Sequence, residues 1–342
     1  MKTLSIIIPA YNSEAFLDKC IGSLLVPEIL DRLEIIIVND GSTDETPAVA
    51  EKYCAAYPDS IRLISQENKG HGGALNTGCA AACGKYLKVI DADDWVETEN
   101  LPQFLRLLEG CDSDVVLTHH RTIDIGTGEI KNWRSYPKEF GKPYSLGQIM
   151  ADWKSFDRSL TFHGITYRTA FYHRHSCQLP EHVFYEDHEY ATFPCCFAES
   201  VTPLDLFVYD YRIGDVAQSV SDANQLKRLS HTETVLNRMI QKSGALTCGD
   251  GGKTYAAMKT QGLLLSYLTT VLLVNPDRTA GRAQAAAQME SCKKGLPEVY
   301  ALTLRKYRIF LLMNHLHITK QGWEKILHSK AYRTLMSRHD FT

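Results

Sequence analysis

The chain has 342 residues, of which 44% are hydrophobic and 23% charged, and this composition is typical of a folded globular protein. Its formal net charge of -3 and its pI near 6.5 exclude the overall basic field with which proteins bind nucleic acid. The apolar run after Met1 is too short for a signal peptide, so we expect a cytoplasmic protein.

Short aliphatic runs alternate with helix-length segments from residue 4 to residue 90. The predicted strands are Leu4–Ile8, Leu33–Val38, Ile61–Ser65 and Tyr86–Ile90, and the predicted helices are Ser13–Leu25, Asp44–Tyr57 and Gly73–Cys83. This βαβ alternation predicts an α/β fold with a mostly parallel sheet. Ligands bind beyond the carboxyl ends of the strands in such sheets, so chemistry is expected in the residues that follow each strand.

After residue 95, the predicted secondary structure is first mixed and then helical. Residues 96–221 mix helices with strands such as Asp114–Thr118 and Leu206–Tyr211, and residues 222–342 read as helical, which predicts three regions with residues 1–95 as the first. The apolar stretch Gly262–Val274 is shorter than the ~20 residues of a bilayer span, so it is predicted to be a core helix, with a membrane-facing helix as the alternative. Ten cysteines without a CxxC pair predict reduced thiols.

Basic and apolar residues are interleaved in the helical last region. Three interpretations are open for it: a helical cap on the core, self-association, and peripheral contact with the inner face of a membrane.

Acidic residues follow the fourth predicted strand directly. Asp91 and Asp93 are two residues apart, which on an extended chain places both carboxylates on one side. Hard oxygen ligands favour Mg²⁺ or Mn²⁺ shared with substrate phosphates. The alternative is that Asp91–Asp94 forms a turn that caps the next helix. The cluster alone therefore predicts either a divalent metal site or a helix start.

Polar residues also follow the other predicted strands. Tyr11 offers a ring for a nucleobase, or is an ordinary half-buried tyrosine. Asp40 either accepts hydrogen bonds from a base or ribose, or only ends its strand. The glycine-rich segment Lys69–Asn76 either exposes backbone N–H groups to an anion or is a tight turn before a helix.

Two more candidate sites lie in the second region. Glu186 and Asp187 stand among aromatic and apolar residues, where a carboxylate can be partly desolvated and act as a base; the alternative is a solvated helix start. Arg212 ends a predicted strand shortly before the hydroxyl-bearing segment around Ser219. That segment either closes over a diphosphate or is an ordinary surface loop.

Taken in this order and spacing, these clusters resemble the family 2 glycosyltransferases, which have a GT-A fold. The resemblance is carried by Ser5–Asn12, Val38–Asp44, Asn68–Gly78 and Asp91–Asp94, and more weakly by Glu186–Asp187 and residues 211–221. It implies a Rossmann-like, mostly parallel nucleotide-binding sheet, a mixed acceptor-binding region and a helical C-terminal part.

The resemblance also implies roles for individual residues. Donor binding would involve Pro9, Tyr11, Asp40, Lys69, His71, Asn76, Asp91, Arg212 and Ser219. Asp93 would be the direct metal ligand of a DxD motif, with Asp91 at the ribose or at metal-bound water. Many relatives carry an arginine immediately before the asparagine that Asn76 matches, and here that residue is Leu75; Lys69 or His71 is the expected substitute.

The implied reaction is metal-dependent sugar transfer with inversion. The donor would be a nucleotide-diphosphate sugar, with UDP favoured, a hexosyl or N-acetylhexosaminyl group would be transferred, and the acceptor would be a polysaccharide or lipid-linked glycan in surface polysaccharide or glycolipid synthesis. Mn²⁺ or Mg²⁺ and the loop donors would neutralise the departing diphosphate. Asp187 would take the proton of the acceptor hydroxyl in a single displacement, with Glu186 on the acceptor side.

Two rival functions remain open from the sequence. A sugar-phosphate nucleotidyltransferase would need a basic, glycine-rich phosphate loop after the first strand, where this chain has Pro9–Asn12. A non-catalytic nucleotide-sugar-binding protein would keep the donor site and would not need Asp187.

Overall fold

The structure is a computed structural model, and it describes residues 2–214 and 222–328. The strands are β1 (Leu4–Ala10), β2 (Leu33–Asp40), β3 (Ile61–Gln66), β4 (Tyr86–Val89), β5 (Trp95–Val96), β6 (Val115–Asp124), β7 (Ile130–Trp133), β8 (Ile165–Arg168) and β9 (Val201–Ile213). The helices are α1 (Glu14–Leu24), α2 (Thr46–Ala56), α3 (Gly70–Ala81), α4 (Leu101–Glu109), α5 (Leu146–Ala151), α6 (Thr169–His175), α7 (Asp187–Thr192), α8 (Asp222–Lys227), α9 (Leu229–Gly244), α10 (Asp250–Thr269), α11 (Arg278–Gly295), α12 (Pro297–His315) and α13 (Lys320–His328).

One sheet holds the described strands in the order β3-β2-β1-β4-β8-β6-β9-β5, and β7 pairs with β6. Strands β3, β2, β1 and β4 are parallel, whereas β8 is antiparallel to both β4 and β6. The predicted fold class is therefore confirmed: a parallel first half, a mixed second half, and helices in the described residues from Asp222 onward.

Continuous burial explains why β1 is apolar along its whole length. Ile6 and Ile8 pack in the core with Leu17 of α1 and Phe104 of α4. Ile7 points to the other face, where a Cβ added to Gly78 of α3 would approach the Ile7 side chain within 2.4 Å. Both faces of the strand are thus covered by helices, as expected for a parallel sheet.

Two local predictions differ from the structure. α3 begins at Gly70, three residues before the predicted start, because the glycine-rich segment is the first turn of the helix. The acids Asp91–Asp94 do not open a helix: Trp95 and Val96 pair with β9, and α4 begins only at Leu101. The capping alternative for the acidic cluster is therefore wrong.

The described residues fall into two compact units. One contains residues 2–214 with Thr247–Ala256, and the other contains residues 222–246 and 257–328. The predicted core segment Gly262–Val274 forms the end of α10 and a following π-helical turn. Among the described residues, Asp250–Val274 is the one helix long and apolar enough to cross a membrane, and half of its most apolar window is buried.

Candidate active site

The carboxyl end of β2 holds a buried acid with spare hydrogen-bonding capacity. Asp40 is 2% exposed, and its Oδ1 accepts hydrogen bonds from Nε2 of Gln66 at 2.7 Å and from the backbone N–H of Lys69 at 2.9 Å. Its Oδ2 is buried and accepts no hydrogen bond within the described part of the chain. Buried carboxylate oxygens are normally satisfied, so Oδ2 is suited to a donor group of a ligand.

The loop after β1 lies beside this acid. Pro9 is buried at the end of β1, whereas the Tyr11 side chain is 52% exposed. Asn12 has a positive φ of 49°, and its Oδ1 accepts the backbone N–H of Thr43 at 2.9 Å. This bond ties the loop after β1 to the loop after β2, which leaves the Tyr11 ring presented at the edge of the sheet.

Asp94 has a structural role in the acidic cluster. It is buried, and its carboxylate accepts hydrogen bonds from the Tyr209 hydroxyl at 2.5 Å and from the backbone N–H of Arg212 at 2.7 Å. The Tyr209 oxygen in turn accepts the backbone N–H of Asp91 at 3.2 Å. Burial first, and then the charges of Asp91 and Asp93, raise the pKa of Asp94. Asp94 and Tyr209 therefore fix the turn that presents Asp91 and Asp93.

Asp93 is a half-buried carboxylate short of positive charge. Burial, and then the negative charge of Asp91, raise its pKa. The nearest cation, Nη1 of Arg212, is 3.8 Å from its Oδ2. No group of three or more His, Cys, Asp or Glu side chains within residues 2–214 and 222–328 forms a complete metal cage. A cation held by one or two carboxylates together with substrate phosphates needs no such cage, so Asp93 fits that chemistry.

Arg212 lies at the end of β9 with its guanidinium over the ring of Phe16, 4.5 Å from the ring centre. Its position beside Asp93 places it at the acidic cluster, where the sequence predicted a residue of the diphosphate loop. Ser219, the other residue predicted for that loop, lies outside the described residues.

His71 contacts two acids, one that follows β4 and one that directly precedes α7. Its Nε2 lies 2.9 Å from Oδ1 of Asp91, and its Nδ1 contacts the carboxylate of Glu186, which is 2% exposed. Burial lowers the pKa of His71, but the charges of Asp91 and Glu186 outweigh it and the net pKa is raised well above its usual value. An imidazolium that donates through both ring nitrogens follows from this geometry.

The glycines of α3 allow this approach. Gly70 has a φ of +75°, and an added Cβ there would lie 2.8 Å from the backbone nitrogen of His182. A Cβ on Gly72 would lie 2.4 Å from the carbonyl oxygen of Pro180. Because only glycine fits such contacts, α3 packs directly against the segment that leads to Glu186.

Two other predicted donor residues hold the same segment. The Asn76 amide exchanges two hydrogen bonds of 3.0 Å with the backbone of Leu179. The Lys69 ammonium lies 3.9 Å from Glu181. Leu75, at the position where an arginine was expected, is buried in the core. The structure thus gives Asn76 and Lys69 contacts within the protein, and their predicted donor contacts stay predictions.

Asp187 is the first residue of α7 and is half-buried, unlike the neighbouring Glu186. Burial first, and then the charges of Asp91, Asp93, Asp94 and Asp187, raise the pKa of Tyr211. The charges of the acidic cluster and of Asp187 thus both act on Tyr211.

Sequence reasoning missed two residues that support Tyr211. The Lys88 side chain is buried in β4, and its ammonium donates to the backbone carbonyls of His163 at 2.7 Å and Ile165 at 3.2 Å. Burial lowers the pKa of Lys88 to about 7. The His163 ring stacks on the Tyr211 ring, with centres 4.4 Å apart. A lysine in the middle of an apolar strand was the one available signal.

Comparison with known proteins identifies similar chains and a similar fold. Residues 5–171 match the family model "Glycosyl transferase family 2". The chain is 32% identical over 221 residues to the "Putative glycosyltransferase EpsH" of Bacillus subtilis, covering 61% of this chain and 60% of that protein. It is 36% identical over 135 residues to the chondroitin synthase of Escherichia coli, covering 39% of this chain and 19% of that protein. The chain thus spans less than two thirds of these curated relatives.

Among solved structures, residues 1–349 of S. aureus TarS in complex with UDP-GlcNAc have a similar fold. The TM-score is 0.65 at 20% sequence identity, and the alignment covers 92% of this chain and 89% of the TarS chain.

Proposed function

We propose that this chain, whose residues 5–171 match the family model "Glycosyl transferase family 2", transfers a sugar from a nucleotide-diphosphate sugar to a hydroxyl group of a glycan acceptor, with inversion. The observation that supports the proposal is the position of Asp91 and Asp93 directly after the parallel strand β4, with His71 bound to Asp91. The family match favours transfer over nucleotidyl transfer.

The donor site of this proposal lies between β1, β2 and α3. The free Oδ2 of Asp40 is available to an N–H of the nucleobase or a ribose hydroxyl, and the exposed ring of Tyr11 is available for stacking. We propose UDP as the nucleotide, supported by the UDP and UDP-GlcNAc bound in the TarS structures of the same fold.

A divalent cation, Mn²⁺ or Mg²⁺, is proposed at Asp93. Burial and the charge of Asp91 raise the pKa of Asp93 even though Arg212 lies 3.8 Å away, and a cation shared with the donor phosphates would offset that negative charge. Asp91 is already bound by His71, so it would contact the cation less directly than Asp93. When bound, the cation would neutralise the diphosphate as it leaves, and the Arg212 guanidinium would add a second positive charge on that side.

Asp187 is proposed as the catalytic base. Its carboxylate is half-buried at the start of α7 and close enough to Tyr211 to raise the pKa of that residue. Glu186 is buried against His71 and is not free to accept a proton from the acceptor hydroxyl. Glu186 would instead hold His71, and through it Asp91, in position.

Calorimetry tests the donor and metal proposals together. Titration of a panel of nucleotide sugars, with Mn²⁺ and with EDTA, should give tighter binding with Mn²⁺ for one of them. Asp93→Ala should remove that difference, whereas Asp31→Ala, which deletes an acid that is 82% exposed, should keep it. Equal affinity with Mn²⁺ and EDTA would rule out the metal.

Mass spectrometry of reaction mixtures tests transfer itself. The panel should be incubated with simple glycan acceptors, and a glycosylated product that Asp187→Asn does not form is the expected result. Donor binding without product from the wild type would favour the non-catalytic interpretation.

A further inference from the structure

We propose that Lys88 is a positioning residue, which acts through the His163 ring on the turn of Asp91–Asp94. We call Asp91–Asp94 the acidic turn. Lys88 lies in β4, three residues before this turn, and it is 0% exposed. The inference rests on the proposed function, because the acidic turn carries the proposed cation site of the donor.

The pairing of β4 with β8 ends before the site, and the Lys88 side chain continues it. The last pair of this antiparallel ladder is Leu87 with Tyr167. Beyond that pair, the Lys88 ammonium donates to the backbone carbonyls of His163 at 2.7 Å and Ile165 at 3.2 Å. Buried carbonyls need hydrogen-bond donors, so Lys88 takes the place of ladder hydrogen bonds and fixes the backbone of His163.

The His163 ring packs against two tyrosines of β9. It stacks on the Tyr211 ring, with centres 4.4 Å apart, and meets the Tyr209 ring edge-on at 4.8 Å. Through its hydroxyl group, Tyr209 bonds both the first and the last residue of the acidic turn. A chain of direct contacts therefore leads from the Lys88 ammonium to the acidic turn.

Lys88 is a buried cation whose hydrogen-bond partners are uncharged. In the part of the chain that the structure describes, it donates to two backbone carbonyls and pairs with no carboxylate. Burial lowers the pKa of Lys88 to about 7. A lysine that only filled space in this strand could be replaced by an apolar residue without the cost of a buried charge, so the charge itself points to a role in the site.

The groups that face Lys88 from the other strands stay neutral near its pKa. Burial, and then neighbouring positive charges, lower the pKa values of His120 in β6 and His163. Burial, and then two acids of the acidic turn, raise the pKa of Tyr209. On the β1 side, Lys88 lies opposite the apolar Ile6. Loss of the Lys88 proton turns two charge-assisted hydrogen bonds into ordinary ones, so the hold on His163 weakens as the pH rises through the pKa of Lys88.

Calorimetry of UDP binding with Mn²⁺, at a pH below the pKa of Lys88, tests the effect on the site. Lys88→Met removes the donor and should weaken binding by about tenfold, whereas Lys88→Gln keeps an uncharged N–H donor and should weaken it less. Lys85→Gln is the matched control and should bind like the wild type. Lys85 also donates to a backbone carbonyl, that of Glu109 at 2.9 Å, but it pairs with Asp112 and directly precedes β4. Circular dichroism checks that every variant is folded.

A pH titration separates positioning from a purely structural role. In the full chain with ¹³C-labelled tyrosine, the NMR signals of the Tyr211 ring, assigned with Tyr211→Phe, should shift with a midpoint at about pH 7 in the wild type and not in Lys88→Gln. Unchanged UDP binding by folded Lys88→Met would overturn the proposal, and so would wild-type signals that do not shift or a shift that Lys88→Gln retains. If the wild type binds no UDP, the proposed donor is wrong, and the NMR titration alone decides whether Lys88 positions these rings.

Discussion

The proposed roles of Asp187 as the catalytic base and of Glu186 as the partner of His71 lead to a testable prediction. Asp187→Asn keeps the shape of the side chain and removes its ability to take a proton. Loss of a general base typically costs about 10²- to 10⁴-fold in rate, which is about 2.7 to 5.5 kcal/mol of transition-state stabilisation. We expect kcat to fall by this amount, while donor affinity stays near that of the wild type because Asp40 and Asp93 are unchanged.

Glu186→Gln should behave differently because of its contacts. The Glu186 carboxylate is 2% exposed and shares the His71 imidazolium with Asp91. Glutamine keeps an oxygen acceptor and loses one of the two anionic partners, so the charge-assisted bond becomes an ordinary one. The difference between such bonds is about 1 to 1.5 kcal/mol, which should appear mainly as lower stability and a lower pKa of His71.

Three measurements separate the two variants: turnover by release of the nucleoside diphosphate, donor binding by calorimetry, and unfolding in guanidinium chloride. Asp31→Asn, at a highly exposed acid, is the control for loss of one negative charge. Normal turnover of Asp187→Asn together with an inactive, stably folded Glu186→Gln would refute the assignment of the base. If both variants turn over normally, the base lies elsewhere.

Three further predictions concern the supports of the site. Tyr209→Phe removes the hydroxyl donor to the buried carboxylate of Asp94, so guanidinium unfolding should show a loss of about 2 to 3 kcal/mol; equal stability would contradict the role of this bond. Burial, and then the charge of Lys88, lower the pKa of His120 to about 3, so the folded state resists protonation of this histidine. The free energy of unfolding should therefore fall as the pH drops from about 6.5 toward 3, by about 1.4 kcal/mol per pH unit for each such histidine. His120→Asn should flatten that slope by about one proton, and an unchanged slope would assign it to other groups. Gly72→Ala places a Cβ 2.4 Å from the Pro180 carbonyl, so activity and thermal stability should both fall, whereas Gly22→Ala, with open space around its Cβ, should be neutral.

The parallel half of the fold could be predicted because its signal is local. β1 and β2 are buried on both faces, so nearly every position is apolar and the strands stand out in the sequence. Their predicted ends were two residues short, since Pro9 and Ala10 still pair with Val38 and Asn39 in the ladder. Asp40 and Asp91 were correctly expected at or just after strand ends, because the ends of these apolar strands are also visible in the sequence.

The start of α3 could not be predicted from local preference. Glycines disfavour helix interiors, so the helix was predicted to begin only at Gly73, and the segment from Lys69 was left open between an anion-binding helix entry and a tight turn. In the folded chain, both Gly70 and Gly72 must be glycine, because the backbone of residues 180–182 lies against them. That requirement comes from a tertiary contact with a segment more than a hundred residues away in the sequence. The helix propensities of the residues in α3 cannot reveal such a contact.

The family resemblance assigned the base to Asp187, but a similar sequence distance explains why the contact of Glu186 with His71 could not be predicted. Two adjacent acids at a helix start point about 100° apart, so one of them turns inward, and nothing in the pair itself says which. The contact with His71 determines which acid turns inward. His71 is 115 residues from Glu186 in the sequence, and its imidazole binds the Glu186 carboxylate inside the protein while it also binds Asp91. Asp187 is then the acid of the pair that stays partly exposed. The position of Asp91 and the orientation of the Glu186–Asp187 pair therefore both depend on the His71 imidazolium. A change in the charge of His71 should influence both at once.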